Sequence, residues 1–209
     1  MTKKIYLEGG GDIRKGENDI LDKDALSKSK NKKVYVIDLT SNDQEKVAQY
    51  RESLKEYFKR LGAEKVGFVS TSESLDKIKK QLNEAGIVYI PGGNTEVLLE
   101  NIKIRKLENL IKNINGIIVG NSAGAMILCR EAICAFEKYE KRGMLKGLGL
   151  LDLVIDVHYD RTHDKQLNNV SKNKHMYAIP EKGAIIWSNG KLEFVGEVYL
   201  FSRGKREKT

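Results

Sequence analysis

Short apolar runs alternate along this chain with longer segments whose apolar residues recur at helical spacing. "KKIYLEGG" and "KKVYVIDLT" are β-rich and end in glycine or polar signals, so both predict strands. After "SND", the residues Val47, Tyr50, Leu54, Tyr57, Phe58 and Leu61 share a helical face of "QEKVAQYRESLKEYFKRLG", which a glycine closes. "KVGFVS" predicts a third strand, and "SESLDKIKKQLNEAG" a helix with Leu75, Ile78 and Leu82 on one face. "IVYIPGG" reads as a strand ending in a Pro-Gly-Gly turn, followed by helical "NTEVLLENIKI" and "RKLENLIKN". "GIIVGNS" is the next strand, and "AGAMILCREAI" the helix predicted to follow it. Strands that alternate with helices pair in parallel through right-handed crossovers, so an α/β sandwich is expected.

Beyond about residue 135 the alternation stops. "GLGLLDLVIDVHYD" is apolar with a loop at its end, and "HMYAIPEKGAIIWSNGKLEFVGE" reads as consecutive short strands. Asn189-Gly190 between two of them is a strong hairpin signal. No internal repeat and no Pro/Gly-rich linker divides the chain. One domain over residues 1–209 is expected, with 203–209 as a flexible basic tail.

Composition narrows the classes. The 209 residues can bury a sizeable core, and 40% hydrophobic with 32% charged residues describes a globular surface rich in charge. No apolar run approaches a membrane span, and the apolar part of "MTKKIYLEGG" is too short for a signal-peptide core. The net charge of +8 invites a nucleic-acid reading. The lysines, however, are interspersed with acids in "KIKKQLNEAG" and "IKIRKLENLIKN", the pattern of solvated helix faces. Two cysteines, Cys129 and Cys134, form no disulfide framework and fit a reducing cytoplasm as small buried hydrophobes on the helix after "GNS". Three histidines without paired ligand spacing argue against zinc, and no cofactor is expected.

Gly120-Asn121-Ser122-Ala123-Gly124 fits the G-x-S-x-G elbow at a strand-to-helix junction, where a tight turn exposes the serine above the sheet edge. Such a serine needs a base. His158 ends an apolar strand-like run, where functional loops of an open α/β sheet gather, and ranks before His163; His175 ranks third, as a surface residue. For the orienting acid, spacing leaves Asp156 and Glu181 equal, since Asp156 lies two residues from His158 on one strand face. The oxyanion pocket has candidates in the amides of Ala123 and of Gly93, with Gly92 as the alternative. Asn94 and Arg161, with Lys165 and Lys172, are candidate contacts to an acidic side chain or terminal carboxylate.

Together "YLEGGGD", "YIPGGNTEVLL", "GNSAGA", "DVHYD" and "IPEKGAII", in this order over residues 5 to 186, resemble the S51 serine peptidase family, which includes dipeptidase E and cyanophycinase. The resemblance implies a three-layer α/β/α fold of the class I glutamine-amidotransferase (flavodoxin-like) type with a mostly parallel sheet. It also implies peptide hydrolysis by a Ser122-His158-Glu181 triad, and so favours Glu181 as the acid. The order Ser…His…Glu differs from that of ordinary α/β-hydrolases. Asp156-Val157 stands where the aspartyl dipeptidases carry Asn-Pro, and Arg161 is the one arginine of a loop that is arginine-rich in cyanophycinase-like members. The reaction therefore transfers and the substrate does not. A cytoplasmic enzyme acting on short peptides is expected, with a homodimer left open and no nucleic-acid or membrane partner. The alternatives are an esterase or amidase on the same frame, or a non-catalytic binding protein.

Overall fold

The computed structural model describes residues 3–69, 73–136 and 141–209; Ser70, at the end of the third expected strand, lies outside them. In chain order the strands are β1 (Lys4–Glu8), β2 (Lys33–Val36), β3 (Lys65–Phe68), β4 (Ile87–Ile90), β5 (Ile117–Asn121), β6 (Cys129–Phe136) and β7 (Lys141–Lys146). They continue as β8 (Leu151–Val157), β9 (Met176–Ile179), β10 (Ala184–Ser188), β11 (Lys191–Val195), β12 (Tyr199–Ser202) and β13 (Lys205–Lys208). The helices are α1 (Asp19–Lys28), α2 (Gln44–Arg60), α3 (Leu75–Glu84), α4 (Thr95–Ile104), α5 (Glu108–Lys112), α6 (Ala123–Leu128) and α7 (Asp164–Val170).

The main sheet has seven strands in the order β11-β10-β1-β5-β4-β2-β3. The five strands from β1 to β3 run parallel, and the β10–β11 hairpin adds antiparallel to β1. Its turn is the expected Asn189-Gly190, both residues at positive φ. Alternation along the buried strands sorts side chains to two faces. Tyr6, Val34, Val36 and Tyr89 meet Leu26 of α1 and Leu54, Tyr57 and Phe58 of α2. Ile5, Leu7, Val88 and Ile118 face the other way, onto Ile78 of α3, Leu98 of α4, Ile111 of α5 and the wholly apolar α6. This is a mixed α/β, flavodoxin-like sandwich.

A second sheet of six strands, β13-β12-β9-β8-β6-β7, was not apparent from the chain pattern. One of its faces continues the core under α6 through Ala132, Ile155 and Val157, and the other is covered by Leu167 of α7. Its existence corrects two expectations. The helix after the elbow ends at Leu128, so Cys129 and Cys134 lie on strand β6. The carbonyls of Ile127, Leu128 and Cys129 are captured by the amides of Leu148, Leu150 and Gly149, and this non-local pairing overrides helical propensity. The basic segment 203–209 is no loose tail: β13 pairs antiparallel with β12. Arg206 bonds Asp164 and Tyr159, which gives a basic stretch a fixed place. Among the described residues, no helix is long and apolar enough to cross a membrane.

Candidate active site

The elbow forms because its glycines leave no room for anything else. A Cβ on Gly124 would lie 1.9 Å from the Ile90 carbonyl oxygen, and one on Gly120 would lie 2.7 Å from the Gly124 carbonyl. Between them Ser122 sits at φ 50 and ψ −108, a conformation that a non-glycine residue holds only at a cost. Its amide donates to the Glu8 carbonyl at 3.0 Å, which ties the turn to the end of β1. The side chain thus stands at the C-terminal edge of the parallel strands, where ligand crevices form in open α/β sheets.

His158 follows the last residue of β8 and turns out of the strand at φ 51. That turn separates it from Asp156, although the two are spaced to share a strand face. His158 Nε2 lies 2.7 Å from Ser122 Oγ, and its Nδ1 lies 3.1 Å from Glu181 Oε1. Glu181 is carried by the turn between β9 and β10, closed by the Gly183 amide on the Pro180 carbonyl. The His158 and Glu181 side chains are both about half exposed, at 48% and 55%, so the chain of contacts opens to solvent.

Asp156 is wholly buried and serves other partners. Its Oδ2 lies 2.8 Å from His163 Nδ1, and its Oδ1 pairs with Arg142 of β7. Burial lifts this carboxyl above the ordinary aspartate range, against the downward pull of Arg142 and His163. His163 therefore comes to the site, but with its own acid. His175 is exposed ahead of β9 and does not line the cavity at Ser122.

Chain reading alone left the role of "LEGGGD" open. The Glu8, Gly9 and Gly10 carbonyls accept from the amides of Ser122, His158 (2.7 Å) and Lys182 (3.2 Å), respectively. One short extension of β1 therefore holds all three segments. A Cβ on Gly9 would lie 2.1 Å from the Pro180 carbonyl oxygen. The signal available was three glycines directly after a buried strand.

A cavity of about 400 Å³ opens at Ser122 and His158, lined also by Gly93, Asn94, Met126, Arg142 and His163. Gly92 is close to the serine, its ideal Cβ lying 3.3 Å from Ser122 Cβ, while Gly93 lines the cavity and Ala123 opens α6. Asn94 lines the cavity, and its Oδ1 also caps α4 by accepting from the Val97 amide at 3.0 Å. Arg161 is not among the lining residues; it is exposed in the turn before α7, and among the described residues Arg142 is the cation that lines the cavity. Cys134 lines it too, while burial pushes the thiol of Cys129 up. A second cavity, of about 590 Å³, lies on the other side of His158 and Glu181, against Arg14, Lys46 and Tyr50.

Beneath the elbow lies a buried polar cluster. Glu8 Oε2 accepts from Asn18 at 2.8 Å, and Asp22 Oδ2 accepts from the Tyr57 hydroxyl at 2.6 Å. Burial pushes the Asp22 carboxyl up to about 7 and that of Glu8 well above the usual glutamate range, with the Asp22 charge adding to the Glu8 shift.

The model of peptidase family S51 matches residues 5–195. The chain belongs to peptidase family S51. It is 28% identical over 160 residues to an uncharacterized peptidase of Listeria innocua, covering 70% of this chain and 77% of that one. A second uncharacterized peptidase, from Listeria monocytogenes, is 27% identical over 61% of this chain and 66% of its own length. The crystal structure of a peptidase from an acI-B1 actinobacterium superposes with a TM-score of 0.75 at 17% identity, covering 100% of this chain and 94% of that one. A peptidase-E-like protein of Listeria monocytogenes gives 0.71 at 23% identity over 93% and 98%. These two structures share the fold of this S51 peptidase.

Proposed function

We propose that this S51 member is a serine peptidase that hydrolyses short peptides, in the manner of dipeptidase E or cyanophycinase, through an acyl-enzyme on Ser122. The observation that carries the reading is the unbroken chain Ser122 Oγ, His158 Nε2 (2.7 Å), His158 Nδ1, Glu181 Oε1 (3.1 Å). With Nδ1–H donating to Glu181, Nε2 is left as the acceptor for the serine proton. Oγ attacks the substrate carbonyl while His158 takes that proton, and Glu181 stabilises the imidazolium that forms. The amides of Ala123 and Gly93, or Gly92 in its place, stabilise the oxyanion. His158 then protonates the leaving amine, and water, activated by the same ring, releases the acyl group.

Two cavities meeting at His158, of about 400 and 590 Å³, fall in the size range of small-ligand sites and suit peptides of a few residues. Asn94 is the proposed polar contact to the substrate. The test is a panel of dipeptides and β-aspartyl peptides, with fluorophosphonate labelling of Ser122. Labelling that disappears in His158→Ala, with hydrolysis lost in Ser122→Ala, is the expected result. Peptide hydrolysis by Ser122→Ala at the wild-type rate would overturn the reading.

A further inference from the structure

The cavity beside Ser122 contains a second histidine with a second carboxylate. His163 Nδ1 is fixed 2.8 Å from Asp156 Oδ2, and Arg142 holds the other oxygen of the same carboxylate. Asp156 is wholly buried, whereas the His163 and Arg142 side chains keep 16% and 26% exposure and line the cavity. Arg142 is a permanent cation and Asp156 its counter-charge, so the net charge of the trio depends on His163. A neutral ring leaves the trio uncharged, with Nε2 as a lone-pair acceptor. A protonated ring leaves it with one net positive charge and turns Nε2 into a donor.

Among the described residues, the other charged or titratable groups around His163 are few. Asp160 opens its turn and feels both His163 and Arg142. The Tyr159 ring is 6.1 Å away edge-on, backed by Asp164 and Arg206, and His158 shares the cavity. Asp160 is tied to the Thr162 amide at 2.7 Å, and the Asp164 carboxylate pairs with Arg206 at 3.1 Å. His158 lines the same cavity in wild type and in His163→Gln, so its contribution cancels when the two proteins are compared.

We propose that His163 is a specificity-determining residue: its protonation decides how well this cavity accepts a negatively charged substrate side chain relative to an uncharged one of the same shape. The inference rests on the peptidase reading above and assigns its selectivity to a residue outside the proposed triad. A substrate carboxylate facing the neutral trio meets a lone pair and no net attraction. Facing the protonated trio, it meets a charge-assisted donor beside a guanidinium.

The experiment uses the Ser122→Ala protein, in which bound peptide stays intact, and two dipeptides that differ only in Asp or Asn as the N-terminal residue. Calorimetric affinities are measured from about pH 5.5 to 8.5, a range in which the Asp side chain stays charged and an ordinary histidine titrates. The expected Asp/Asn affinity ratio falls about tenfold from the acid to the alkaline end. In the His163→Gln background the fall shrinks to the part that His158 supplies, and the ratio stays near its alkaline level. Asp156→Asn removes the ring's counter-charge and moves the profile to lower pH. A flat ratio with His163 present, the same slope with His163→Gln, or no binding of either peptide would overturn the inference. The peptidase reading is judged separately, by loss of turnover in Ser122→Ala.

Discussion

Gly10 and His158 are in direct conflict over a single methyl group: a Cβ on Gly10 would lie 2.2 Å from Cε1 of the His158 ring. Gly10 also sits at φ 128, outside the range that L side chains favour. Gly10→Ala therefore has to push the imidazole away from Ser122 or distort the strap that holds it. Misplacement of a reacting group by about an ångström costs on the order of a hundredfold in rate. The expected outcome is a fall of that size in kcat for the most active peptide, with a thermal unfolding midpoint only a few degrees lower. Unchanged kcat would remove the proposed role of the strap.

Ser122 holds its φ of 50 against steric preference, and glycine would not. Strain of this kind is worth about 1–3 kcal/mol, and the extra freedom of an unfolded glycine returns part of it. Ser122→Gly is expected to be more stable than wild type by about 1 kcal/mol and to lose peptidase activity by several orders of magnitude. Paired urea unfolding and steady-state assays check both halves. A variant no more stable than wild type would mean that the elbow carries no stored strain.

What could be read along the chain is what local pattern controls. The period of α2, the glycine-bounded elbow, the Asn189-Gly190 turn and the placing of His158 at the end of an apolar strand all rest on neighbouring residues. The second sheet rests on pairings between distant segments, such as β6 with β8, and "AGAMILCREAI" has the same apolar content whether helical or split into helix and strand. Arg142 comes from the charged stretch "KRGMLK", which looks like solvated surface until β7 carries it to buried Asp156. Spacing could not separate Asp156 from Glu181. The difference is a positive φ at His158, which no periodicity encodes.

Glu181 and Asp156 now make different predictions. Glu181 meets His158 at 3.1 Å in a half-exposed setting, while Asp156 is sealed against His163 and Arg142. Glu181→Gln is expected to lower kcat by about 10²–10⁴-fold, because a glutamine can stabilise neither the Nδ1–H tautomer by charge nor the imidazolium. Its stability should stay within about 0.5 kcal/mol of wild type, as for an exposed pair. Asp156→Asn should do the reverse, destabilising the fold because Arg142 and His163 lose a buried partner, with a smaller effect on kcat. Measuring kcat and the urea midpoint for both variants decides the assignment; a larger kcat loss in Asp156→Asn would reverse it.

Asp22 lies wholly buried behind the elbow, and its carboxyl is pushed up to about 7 by burial. In the unfolded chain an aspartate titrates near about 3.9. Between those values the folded state binds more protons than the unfolded state, so the contribution of Asp22 to stability falls as pH rises. It is fully present below about pH 4 and fully lost above about pH 7. Surface carboxylates whose pKa is lowered, such as Glu197 beside Lys208, act in the opposite direction. They are common to wild type and Asp22→Asn, and cancel in the difference. Asparagine can still accept from the Tyr57 hydroxyl, and any fixed cost of its amide is the same at every pH. Asp22→Asn is therefore expected to gain on wild type by up to about 4 kcal/mol between pH 4 and pH 8. Because Glu8 loses the charge that raises its own carboxyl, its shift adds to the same slope. Urea unfolding of the two proteins across that range is the check. Parallel stability profiles would show that Asp22 is ionised in the folded protein throughout.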